Sequence, residues 1–225
     1  NVKKCIFEKK KKNMEIHKIT FNTFQENTFI LWDNTTDCII IDPGCYERNE
    51  ELLLVDFINK NNLNPVKLIN THCHIDHILG NKFVSEKWDL ELYMNKIDLP
   101  LLEGSGDIAR MYGFENYKGS PYPKHYLEEG DILEFGESKL EILFTPGHAP
   151  GHICLFNKEE GFIVSGDVLF NGSIGRTDLI GGDFDTLIES IKTKLMTLQD
   201  ETIVYCGHGP STSIGRERLS NPFLQ

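Results

Sequence analysis

Residues 72–77 read His72-Cys73-His74-Ile75-Asp76-His77, which puts four metal-capable side chains of the His and Asp type within six positions. Imidazole nitrogens and carboxylate oxygens together suit zinc, iron or manganese, and a set without thiolates points to a catalytic rather than a structural site. Three further segments carry the same chemistry: Thr145-Pro146-Gly147-His148, Ser165-Gly166-Asp167 and Cys206-Gly207-His208-Gly209. With them the candidate ligands number seven: His72, His74, Asp76, His77, His148, Asp167 and His208. Seven ligands do not saturate two ions, so two neighbouring divalent cations would keep open positions for water and substrate. Five of the eight histidines fall in these segments, and that clustering outweighs the ordinary expectation for any one of them. His17, His125 and His152 stand alone and are expected at the surface or satisfied in the core. Cys73 alternates with its neighbours in an extended segment and should point away from the metals; Cys206 is expected to pack.

Each ligand segment follows an apolar run: 66–70, 140–144, 162–164 and 203–205. Ligands just past strand ends converge along one edge of a sheet and are held by a rigid core. Further strands are expected at 16–21, 28–32, 38–41, 91–94, 132–135 and 153–156. The run 38–41 ends in Asp42-Pro43-Gly44, a turn signal. Helices are expected at 47–61, 81–88 and 184–196, the last with Asp183 as N-cap and an apolar stripe of Leu187, Ile188, Ile191 and Leu195. Residues 95–126 hold four glycines, three prolines and four tyrosines and read as irregular, with short helices or a rim over the site as the uses open to them. Strands fall into two groups, each with helices, so two packed sheets with helices outside is the natural layering of one domain spanning 14–225.

The 225 residues are 40% hydrophobic and 25% charged, an ordinary globular balance. Net charge is −11, while residues 1–13 carry six Lys and one Glu, a local +5 that leaves −16 on the rest. So acidic a body argues against nucleic acid as the substrate. The six cysteines form no CxxC pair and are expected as reduced thiols. Residues 1–13 lack the apolar core of a signal peptide, and no segment reaches the length of a membrane span, so a cytoplasmic protein is expected. Met14 precedes the first strand and is a candidate natural start, so 1–13 reads as a disordered or foreign extension of the domain.

His72-x-His74-x-Asp76-His77, Thr145-Pro146-Gly147-His148, Gly166-Asp167 and Gly207-His208-Gly209, in that order and spacing, resemble the metallo-β-lactamase-fold hydrolase superfamily. The resemblance implies an α/β (α+β) fold, a four-layer αββα sandwich of two mixed sheets with the metals at one edge. It also implies that His72, His74 and His148 hold one ion, that Asp76, His77 and His208 hold a second, and that Asp167 bridges both. Ser173-Ile174-Gly175-Arg176-Thr177-Asp178 and Gly207-His208-Gly209-Pro210 are similar to the short glyoxalase II-like, or hydroxyacylglutathione hydrolase-like, group. The C-terminal helical domain of full-length glyoxalase II enzymes has no counterpart in the 17 residues after His208, and Asp178 stands where those enzymes tend to have an aromatic residue. Both departures bear on glutathione recognition, not on the metals.

A thiolate, with a parent pKa around 8.5, leaves without a strong acid, and no general acid is evident beyond the ligands. A small-molecule thioester is therefore the expected substrate, two divalent ions (zinc first, iron or manganese as alternatives) the expected cofactors, and Asp76 the catalytic residue that orients the attacking water. Arg176 is a candidate for a substrate carboxylate, with an ion pair to Asp178 as the competing use. Two alternatives share the ligands: an iron-dependent persulfide dioxygenase, and a phosphodiesterase or RNA-processing nuclease.

Overall fold

A computed structural model describes residues 14–225. The basic stretch 1–13 lies outside the described residues. Strands β1 (Met14–Phe21), β2 (Glu26–Asp33) and β3 (Asp37–Ile41) follow one another in antiparallel pairs. Helix α1 (Arg48–Lys60) then carries the chain to β4 (Asn64–Ile69), parallel to β3. After the single turn α2 (Ile75–Ile78) and helix α3 (Asn81–Trp88), β5 (Leu92–Met94) pairs parallel to β4. Helix α4 (Leu99–Met111) leads to β6 (His125–Tyr126), which completes a mixed sheet in the order β1-β2-β3-β4-β5-β6.

The second sheet begins with four antiparallel strands, β7 (Ile132–Phe135), β8 (Ser138–Phe144), β9 (Ile153–Asn157) and β10 (Phe162–Gly166). A small ribbon of β11 (Leu169–Phe170) and β12 (Ser173–Ile174) precedes helix α5 (Phe184–Ser190), which widens into a π turn over Ile191–Leu195. Strand β13 (Ile203–Cys206) returns parallel to β10, and β14 (Thr212–Ser213) runs into helix α6 (Ile214–Ser220). The order is β14-β13-β10-β9-β8-β7.

Side-chain alternation builds the layers. On β2 and β3, Phe29, Leu31, Ile39 and Ile41 meet Leu140, Ile142, Ile153, Leu155 and Val164 of the second sheet. Their neighbours Ile30, Cys38 and Ile40 face the other way and pack with Leu54 and Ile58 of α1. On the far side Leu143, Cys154, Ile163 and Val204 pack with Leu187, Ile191, Leu195 and Ile214. The result is the expected αββα order, and it explains why the central strands read as nearly unbroken apolar runs: both faces are covered. Each fully buried aliphatic side chain contributes about 1.5–3 kcal/mol, which lets the sheets hold the polar loops at their ends.

The stretch 95–126 departs from its expected irregularity. A 13-residue helix, α4, occupies 99–111. Gly104 and Gly106 cost it about 1 kcal/mol each relative to Ala, offset by Leu102 and Ala109, buried in the outer core. Among the described residues no helix is long and apolar enough to cross a membrane.

Candidate metal centre

All four ligand segments lie past strand ends on one edge of the sandwich. The His72 segment follows β4, whose continuation Asn70-Thr71 is fixed by Asn70 N–H to the Tyr93 carbonyl at 2.9 Å and by Ile153 N–H to the Thr71 carbonyl at 2.9 Å. His74 is the N-cap of the turn α2, and that turn breaks the period of two, so Asp76 and His77 project in succession. The His148 turn needs Gly147: φ is +128°, and a Cβ there would lie 2.3 Å from the Leu187 backbone nitrogen. Gly207 is needed for closeness alone, since a Cβ would lie 2.1 Å from Asp167 Oδ1 and 2.9 Å from the His77 ring. Asn27 N–H donates to the Gly207 carbonyl at 2.7 Å and so ties the His208 segment to the first sheet.

Ligand atoms of His72, His74 and His148 lie within 4.8 Å of one another, as do those of Asp76, His77 and His208. His74 Nδ1 is 2.8 Å from His148 Nε2, a spacing that needs a shared proton or a cation between the rings. Asp167 sits between the two trios: Oδ1 is 3.5 Å from His77 Nε2, and Oδ2 is 3.5 Å from His148 Nε2 and 3.4 Å from His208 Nε2. His208 Nε2 is 3.1 Å from Asp76 Oδ2.

The outward nitrogens are fixed by partners, which sets the tautomers. His148 Nδ1–H donates to the Arg176 carbonyl at 2.7 Å, and His208 Nδ1–H to the Phe24 carbonyl at 3.1 Å. His72 Nδ1 is 3.0 Å from Thr71 Oγ1, which itself donates to Asp42 Oδ2 at 2.5 Å. His77 Nδ1 is 3.2 Å from the same Asp42 oxygen. Against this background His72 Nε2, His74 Nε2, His77 Nε2 and Asp167 Oδ1 are buried without a hydrogen-bond partner among the described residues. Each such atom costs about 1–3 kcal/mol, and a divalent cation is the partner that nitrogen and carboxylate lone pairs of this kind accept. The residues therefore fit a metal.

Electrostatics divides the cluster. Burial, then the neighbouring rings, hold His72 well below the ordinary histidine range and push His74 down to about 3, and burial lowers His148 against the opposing pull of Asp167 and the Arg176 carbonyl. These rings stay neutral, the form that ligates metal. Burial opposes the charge on His77 and His208 as well, but Asp167 and Asp76 outweigh it: His77 is held well above the ordinary range and His208 is raised to about 9. Asp167 is held well below the carboxylate range, and Asp76 below it, because His77 and His208 overcome their burial.

Sequence reasoning missed three participants. Asp42, read only as a turn residue, takes the Thr71 N–H at 2.7 Å as well as the bonds above; its signal was its place directly after an apolar run, like the ligands. Glu26, buried, has Oε1 without a hydrogen-bond partner among the described residues, 3.9 Å from His77 Nδ1, and burial pushes its pKa well up. His152 is the satisfied core residue expected, but it is also part of the frame: its ring stacks on His72 at 4.8 Å and Nε2 accepts the Asp167 N–H at 3.1 Å. Arg176 is exposed, and its guanidinium makes two 2.7 Å bonds to Asp178. Cys73 points to Met94 Sδ at 3.7 Å, away from the metal-facing atoms, and Cys206 is buried in the outer core.

The family model of the metallo-beta-lactamase superfamily matches residues 22–208. A hydroxyacylglutathione hydrolase GloC of Haemophilus influenzae is 39% identical over 212 residues, 94% of this chain and 98% of that protein. Two crystal structures superpose closely. BLEG-1 B3 metallo-beta-lactamase has a TM-score of 0.83 at 33% identity, covering 94% of this chain and 100% of that one. TTHA1623 in a di-iron-bound form has a TM-score of 0.82 at 38% identity, covering 92% and 100%.

Proposed function

The chain belongs to the metallo-beta-lactamase superfamily, and from that premise we propose that it is a metal-dependent thioester hydrolase of the hydroxyacylglutathione hydrolase type. The observation that carries the metal chemistry is the convergence of unpartnered lone pairs from His72, His77 and Asp167 beside the close approach of His74 Nδ1 to His148 Nε2. The relative that carries the hydroxyacylglutathione hydrolase name, matched over 98% of its length, supports a small-molecule thioester.

In this reading His72, His74 and His148 would hold one ion, Asp76, His77 and His208 would hold the second, and Asp167 would serve both. A bound pair of divalent ions, zinc first with iron or manganese as alternatives, would supply Lewis acidity and a nucleophilic water at neutral pH. The chain's own part is orientation. Asp42 holds His77, Thr71 holds His72 and the Arg176 carbonyl holds His148, so each ring presents a lone pair inward without rearrangement. Asp76 keeps one oxygen toward His208, and its other oxygen accepts a proton of the attacking water and aligns it. No side chain has to protonate the departing thiolate. The exposed Arg176, when released from Asp178, pairs with a substrate carboxylate.

The test combines metal quantification with S-lactoylglutathione hydrolysis. Two ions per chain and turnover lost in His72→Ala support the reading. Turnover that survives thorough chelation sinks it. One iron per chain with oxygen uptake on glutathione persulfide would replace it with the dioxygenase.

A further inference from the structure

We propose that Asp98 is a positioning residue for the first ligand trio: its carboxylate locks the loop 72–74 to the loop 146–151 and thereby sets how tightly His72, His74 and His148 hold their ion. The proposal rests on the metal reading of the site given above. Asp98 is fully buried. Its Oδ2 accepts the Cys73 N–H at 2.9 Å, and its Oδ1 accepts the Gly151 N–H at 2.5 Å. Cys73 lies between His72 and His74, and Gly151 closes the turn that begins at Pro146 and carries His148. The first loop leaves β4 of one sheet and the second joins β8 to β9 of the other, so one carboxylate spans the sandwich immediately behind the trio.

Two observations separate this from an ordinary helix cap. Asp98 occupies the N-cap position of α4, where aspartate normally accepts an amide of its own helix, yet its side chain makes no capping bond there. The carboxylate is spent on the two loops instead. Gly151, in turn, is not among the glycines at positive φ, so its backbone needs no special freedom. A Cβ at that position would lie 2.6 Å from the Asp98 nitrogen and 2.7 Å from its Oδ1. Glycine is required there by the approach to Asp98.

Groups that orient ligands from behind typically change metal affinity by about 10–100-fold when removed. The experiment is a zinc titration against a competing chelator on the whole chain, comparing wild type, Asp98→Asn, Gly151→Ala and His148→Ala. Asparagine keeps the size of Asp98 but turns an NH2 toward one of the two amides. Alanine at 151 attacks the same contact from the opposite loop, and thermal unfolding confirms that each variant is folded. Both variants should weaken, by about 10–100-fold, the same binding step that His148→Ala abolishes, and leave the other step unchanged. Wild-type affinities for both ions in a folded variant, or equal weakening of both steps, would overturn the proposal. Wild type binding fewer than two ions overturns the metal reading and this proposal together. Two ions without thioester turnover overturns only the substrate reading, and the titration still decides the role of Asp98.

Discussion

Two buried polar clusters of this molecule are alike in burial and opposite in satisfaction. Around Glu217, fully buried in α6, the chain answers every demand: Oε2 accepts Gly172 N–H at 2.9 Å and Asn221 Nδ2 at 2.8 Å, and Oε1 accepts the Thr212 hydroxyl. At the other cluster His72, His74, His77 and Asp167 each keep a buried atom that nothing among the described residues meets. The outward nitrogens of His72 and His77 are partnered as carefully as Glu217 is, so for these two rings the deficit is confined to the side where an ion would sit. Buried charge alone does not distinguish function from scaffold. Lone pairs left open on rings whose opposite nitrogen is bonded, as on His72 and His77, do.

That contrast can be broken by exchanging the consequences. Asp167→Asn should lower kcat/KM for a thioester by about 10³-fold, the scale on which preorganised electrostatic stabilisation is lost, while far-UV circular dichroism stays that of a folded chain. Steady-state kinetics under saturating metal checks it; an Asp167→Asn enzyme within tenfold of wild type would mean that this carboxylate is scaffold. Chelation of the wild type comes next in size. An ion present at 100–1,000 times its dissociation constant stabilises by about 2.7–4.1 kcal/mol, so urea unfolding should shift to lower midpoints with chelator and recover with added zinc. Glu217→Gln should show the opposite pattern to Asp167→Asn. Disturbing its buried bonds costs about 1–3 kcal/mol in urea unfolding, with metal stoichiometry unchanged.

How much of this was legible in the sequence depended on the range of the contacts. The ligands could be read because each sits within a few residues of an apolar run that ends in a loop, a local pattern. Asp42 obeys the same pattern but hides in an Asp-Pro-Gly turn; its role exists only because β3 pairs parallel with β4, Ile41 opposite Ile69, which brings it beside Thr71. Asp98 was invisible for a similar reason. It lies in a stretch whose glycines and prolines suggest loop, and Pro100 in fact sits in the first turn of α4, where a missing N–H costs nothing. The grouping of apolar runs foretold two sheets, and helices at 48–60 and 81–88 match the expected segments 47–61 and 81–88. The strands at 64–69 and 203–206 did the same. Arg176 shows the limit of reading side-chain type: its carbonyl, not its guanidinium, reaches His148.

The smallest effect sharpens the comparison through pH, and His208 carries it. Its Nδ1–H donates to the Phe24 carbonyl, and its Nε2 lies 3.1 Å from Asp76 and 3.4 Å from Asp167. Without metal both nitrogens act as donors, which is the imidazolium form. Burial resists that charge, but the bonds to Asp167 and Asp76 prevail and hold the ring near its raised value of about 9. Because the folded value exceeds the unfolded one, around 6.5, this ring's contribution to metal-free stability is complete below about pH 6.5 and disappears as pH climbs through about 9. Metal affinity must run the other way. Nε2 has to surrender its proton before it can ligate, so between about pH 6.5 and 9 each unit should tighten binding about tenfold per proton displaced, and His77, also raised, adds in the same direction. Calorimetric zinc titrations in buffers of different ionisation enthalpy count the released protons directly. Glu217→Gln should keep this slope and Asp167→Asn should flatten it, since the first leaves the partners of His208 in place and the second removes the charge of one of them. Equal slopes in the two variants would mean that the carboxylates of the centre do not hold the protons that a metal has to displace.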